Sequence, residues 1–151
     1  MFAEKYLELL QNLKERLSPD LLEKIHYRSV TNFLIHFEKL SNKDIVRILI
    51  IRYFEEIRDH DYIIDRDLSR DLFHKYLAQI GKYYNFQLGF KSFMPFKYSI
   101  GVAIIIDGVV LFLGILKKIY YIPITTILGT LGHEYLYFFY GKKNRLFGLY
   151  Y

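Results

Sequence analysis

Asp107, His133 and Glu134 are the residues of this chain whose setting asks most for an explanation. Tyrosines apart, the only other ionisable side chains between Lys97 and Lys142 are Lys117 and Lys118, and most of the rest are Ile, Leu, Val, Phe, Tyr, Gly and Thr. A carboxylate at the centre of a lipid-embedded helix costs about 2.5–3.5 kcal/mol, against about 0.3–0.6 gained per Ile, Leu, Val or Phe. Such groups face a helix bundle or a wet cavity. Asp107, His133 and Glu134 would therefore either fix helix packing through hydrogen bonds or line a proton or ion path. Thr125, Gly129 and Gly132 are small residues that would let two helices approach closely.

Other constellations are weaker. Asp65, Asp67, Ser69 and Asp71 alternate like the start of a calcium loop, but Arg70 stands where the tight turn needs Gly and Tyr76 where it needs a bidentate Glu. Acidic residues in a first helical turn explain the pattern better. Asp59-His60-Asp61, with His74 further on, offers oxygen and nitrogen ligands without the three or four convergent groups a metal needs. Arg70 and His74 lie one turn apart and read as a solvated face. His26 and His36 read as hydrogen-bonded histidines within a helical bundle. There is no Gly-rich phosphate loop, no Gly-x-Ser-x-Gly elbow and no His-Glu-x-x-His helix, because position 137 is Tyr. The sequence assigns no catalytic residue, metal site or cofactor.

The elements that must position these residues divide at residue 97. Two apolar blocks, 98–116 and 119–140, flank Lys117-Lys118. A helix of the first block's length spans about 28 Å, near the roughly 30 Å hydrocarbon core of a bilayer. The expected fold is thus all-α: a small helical head over 1–81, an aromatic interfacial linker over 82–97, a two-helix transmembrane hairpin over 98–140 and a basic, aromatic tail over 141–151. Lys91, Lys97, Lys142, Lys143 and Arg145 against two lysines at the tip would place both termini in the cytoplasm. Phe147, Tyr150 and Tyr151 would then sit at headgroup depth.

Four amphipathic stripes build the head. Tyr6, Leu9, Leu10, Leu13 and Leu17 form the first. Ser18-Pro19 suits a helix start, as N-cap and first helical residue. Leu22, Ile25, Val30, Phe33, Leu34, Phe37 and Leu40 form the second. Ser41 to Asp44 resembles a capping box opening a third helix, apolar on several faces and so expected to be central. The fourth carries Leu68, Leu72, Phe73, Tyr76, Leu77 and Ile80, with Gly81 as its expected C-cap.

A rival reading uses Asp107-Gly108 as a two-residue hairpin turn between Val102–Ile106 and Val109–Leu113, with Gly141 to Asn144 as a second turn. That gives an α+β protein with a C-terminal antiparallel sheet.

Composition narrows the function classes. The net charge of +5 includes no dense basic run, so no nucleic-acid partner is expected. The absence of cysteine excludes disulfides and thiolate metal sites. The start, MFAEKYLELL, lacks the basic and apolar regions of a signal peptide. The resulting expectation is a non-enzymatic integral membrane protein, an oligomeric adaptor or assembly subunit, whose partners are the bilayer and either its own copies or another membrane protein. The alternatives are a membrane-permeabilising effector or small channel, and a soluble α+β protein.

Overall fold

The computed structural model describes residues 1–93, 96–116 and 123–148, with side chains for all of these except 93, 96–100, 115, 116 and 136. Lys117-Lys118 at the expected hairpin tip, and Tyr150 and Tyr151 in the tail, lie outside the described residues. The chain forms two compact units: residues 1–93 joined by the chain from Lys143 onward, and residues 94–142.

The first unit is helical, as the stripes require. Helix α1 (Phe2–Arg16) buries Leu10 and Leu13 and sets Tyr6 against Phe54, with ring centroids 4.7 Å apart. Ser18 accepts the Leu21 N–H at 3.4 Å and Pro19 opens α2 (Pro19–Lys24). The second stripe does not run as one helix. His26 adopts left-handed backbone (φ 49°) and separates α2 from α3 (Tyr27–His36). Such a backbone costs a non-glycine residue about 1–3 kcal/mol and persists only where its surroundings hold it. Here the buried imidazole Nε2 donates to the Ser69 carbonyl at 2.8 Å, and the Ser69 hydroxyl donates to the Lys24 carbonyl at 2.6 Å.

Helix α4 (Lys43–Asp59) starts near the expected place without the expected cap. Asn42 is its N-cap residue and makes no side-chain cap bond, while the Ser41 N–H donates to Gln87 at 2.9 Å. Nor is α4 buried all round: Val46, Ile50, Tyr53, Phe54 and Ile57 face the core, whereas Ile45 and Ile48 are exposed. Asp65 caps α5 (Arg66–Leu72) by accepting the Leu68 N–H at 2.8 Å, so the acidic run serves a helix start. A π turn (Phe73–Leu77) leads into α6 (Ala78–Leu88).

The expected stop at Gly81 is corrected. The helix continues through it and ends at Gly89, whose φ of 68° is the left-handed cap conformation. Gly81 serves close packing instead: a Cβ there would stand 2.2 Å from the Phe147 ring. Two buried phenols lock the core. Tyr53 donates to the Ile25 carbonyl and Tyr84 to that of Phe33, and burial raises the pKa of both hydroxyls.

The chain from Lys143 closes this unit. Strand β1 (Lys91–Phe93) pairs in parallel with β2 (Leu146–Gly148), matching Lys91 with Leu146 and Ser92 with Phe147. Phe147 is therefore buried in the hydrophobic core rather than held at headgroup depth.

The second unit contains α7 (Phe96–Leu116) and α8 (Ile124–Gly141), packed antiparallel. Asp107-Gly108 lies in mid-helix, so the antiparallel sheet does not form. Among the described residues, the rival reading keeps only a small sheet near the C-terminus, parallel and two-stranded.

The transmembrane reading is corrected. Among the described residues, no helix is long and apolar enough to cross a membrane. In α8, Thr125, Thr126, Thr130, His133, Glu134 and three glycines dilute the apolar residues. The integral membrane assignment, its both-termini-cytoplasmic topology and the membrane-pore alternative lose their basis with it.

Candidate functional site

The most specific geometry in the second unit begins with a helix that does not cap itself. Helix α8 starts after Pro123, which has no side-chain acceptor to offer the first free amides, and none is made locally. Asp107, from the middle of α7, takes that role. Its Oδ2 accepts the Thr126 N–H at 2.7 Å, and its Oδ1 accepts the Thr125 N–H at 3.3 Å and the Thr125 hydroxyl. The carboxylate is buried, and it faces the positive end of the α8 dipole. A negative group in apolar sequence thus has a local electrostatic partner. A recess of about 380 Å³, lined by Ile104, Asp107, Gly108, Leu111, Pro123 and Thr126, opens beside it.

Close approach of the helices is a second property of this hairpin. The Thr125 hydroxyl lies 3.3 Å from the Ala103 carbonyl, and a Cβ at Gly129 would lie 3.5 Å from that of Ala103. These contacts place Ala103 opposite Gly129 and Asp107 opposite Thr125. Gly132 is different: nothing lies within 4 Å of a Cβ built there. His133 is mostly enclosed, with side-chain exposure of 12%, while Glu134 is 68% exposed, and Nδ1 and Oε1 are 4.0 Å apart. Asp107 and Thr125 are therefore brought together.

The outer faces of both helices are apolar and open. Ile105, Val109 and Phe112 on α7 and Leu128, Leu131 and Phe138 on α8 are each more than half exposed. Tyr135 and Phe139 stack at 5.5 Å with their rings 12° from parallel.

In the first unit, the ionisable groups singled out in the sequence lie in turns, on exposed faces or in the core. Asp59, His60 and Asp61 close α4 in a turn where Asp61 and Tyr62 have positive φ. Arg70 pairs with Asp67 at 3.1 Å on an exposed face. Among the described residues, no group of three or more His, Cys, Asp or Glu side chains is placed to hold a metal. His74 lines a broad groove of about 560 Å³ with Gln79, Lys82, Tyr83 and Phe86. His26 is held neutral, its pKa lowered to about 4 by burial and partly restored by its bond to Ser69. His36 is also lowered, by burial, against the opposing effect of its bond to the Asn32 carbonyl.

Sequence reasoning missed Ser29 and Asn32, which hold the C-terminal strand, and took Gly81 for a helix end rather than for the residue packed against Phe147. The one available signal was a helix-compatible stretch continuing past Gly81 to a second glycine at 89. Comparison with protein-family models, with curated proteins and with solved structures found no match.

Proposed function

We propose that this protein works by association rather than by catalysis, and that the α7–α8 hairpin pairs with the hairpin of a second copy. The observation that carries this reading is the apolar outer surface of a hairpin whose buried carboxylate is already engaged. Half-exposed Ile, Leu, Val and Phe side chains along both helices leave an apolar surface of the kind that marks an interaction site.

A second copy is the occupant that fits. The described outer faces carry few charges with which to select a different partner, and symmetric homo-oligomers bury one patch against itself. Gly129 and Thr125 serve the contact within the hairpin, leaving the bulkier Leu, Ile and Phe side chains for the contact between copies. Glu134, the exposed carboxylate, then belongs at the rim, where charges stay hydrated.

Co-expression of two differently tagged copies tests this reading. Recovery of both tags after purification through one supports it. Recovery of a single tag, from full-length chains that remain helical, overturns it.

A further inference from the structure

The C-terminal strand is held in a way that resembles a bound peptide. The Ser29 hydroxyl contacts both backbone groups of Gly148, accepting its N–H at 3.0 Å and donating to its carbonyl at 3.2 Å. Asn32, one turn along α3, donates from Nδ2 to the Leu146 carbonyl at 2.7 Å. The Lys91 N–H donates to the Arg145 carbonyl at 3.0 Å, and β1 supplies the paired strand edge. Between these backbone contacts the Phe147 ring enters a slot floored by Gly81 and walled by Phe33, with ring centroids 5.4 Å apart.

Backbone bonds to a sheet edge and a pocket for one side chain are the two components of peptide recognition by strand addition. The strand that fills the slot is short, its pairing is parallel, and in sequence it follows a separate compact unit. Such a segment is a natural candidate for exchange between copies.

We propose that the groove between α3, Gly81 of α6 and β1 is a recognition site for an extended Leu-Phe-Gly segment. It is filled here by the chain's own residues 146–148 and accepts the same segment from a second copy.

The test uses full-length Phe147→Ala, which empties the slot, and a fluorescein-labelled peptide of residues 143–151 read by anisotropy. The variant should bind the peptide at least tenfold more tightly than the parent chain, and a peptide with Ala at 147 should not bind. Equal binding of the Ala peptide, or a folded variant with no gain over the parent, overturns the proposal. Should Phe147→Ala lose its helical signal, excess peptide should restore it, and failure to restore it is equally decisive against the site. For exchange between copies, Gly81→Ala, whose slot is closed and whose tail is displaced, should capture Phe147→Ala in a complex stronger than either variant forms alone. No gain over the two variants separately overturns that part. The peptide arms leave the hairpin untouched, so they can succeed where hairpin pairing fails, and the reverse.

Discussion

Asp107 on α7 closes the first turn of α8 by accepting the Thr126 N–H at 2.7 Å. The bond joins a residue that is expensive to bury to a helix end that lacks a cap of its own. It supplies a structural reason for the carboxylate that needs neither a pore nor a metal.

Replacing Asp107 should therefore loosen the start of α8. Asp107→Ala removes both acceptors and should cost about 1–2 kcal/mol, the range of a lost N-cap. Asp107→Asn keeps one acceptor and should cost less. Hydrogen exchange at the Thr125 and Thr126 amides should rise about tenfold for each 1.4 kcal/mol lost, with the core amides of α3 and α6 unchanged. Uniform acceleration across the chain would mean that the cap is not local.

Gly81 and Phe147 should show opposite signs alone and together. In the parent, Gly81→Ala drives a Cβ into the Phe147 ring and should destabilise by about 1–3 kcal/mol, the cost of overpacking. In a Phe147→Ala background the clash is gone, and the same change should be neutral or stabilising by up to about 1 kcal/mol, from helix propensity. Urea unfolding of the four chains closes the cycle, and additive effects would contradict the packing.

The head was legible wherever the causes are local. The Tyr6 to Leu13 stripe, the Ser18-Pro19 helix start and the acidic start of α5 are written within a few residues of where they act. Gly81 and Phe147 were misread because each is explained only by the other, and no local pattern links them. For the same reason α4 looked central: Ile45 and Ile48 carry no mark that their face is left open. Asp107 drew notice because a charge in apolar sequence has a known cost. Its partner, a capless helix after Pro123, is visible only once α7 and α8 are set side by side. Hydrophobicity alone suggested a membrane span, which the polar content of α8 does not support.

Stability should fall on mild acidification. The pKa of His26 is about 4 in the folded chain and 6.5 ordinarily. The unfolded state therefore binds the proton more readily between these values, and stability is lost as pH drops from 6.5 towards 4. The difference amounts to about 3 kcal/mol when fully expressed, at about 1.4 kcal/mol per pKa unit. His36, lowered in the same direction, adds to the slope. Urea midpoints across this range should show a shallower slope for His26→Gln, and an unchanged slope would place the titration elsewhere.

Sedimentation equilibrium of the full chain beside Ile105→Glu/Leu128→Glu tests hairpin pairing most directly, because both substituted side chains are exposed on the outer faces. The parent should sediment as an oligomer and the double variant as a monomer, with equal helical signal and equal melting of the head. A parent that is monomeric throughout, a variant that associates as strongly as the parent, or a monomeric parent that floats with phosphatidylcholine vesicles would contradict pairing between copies.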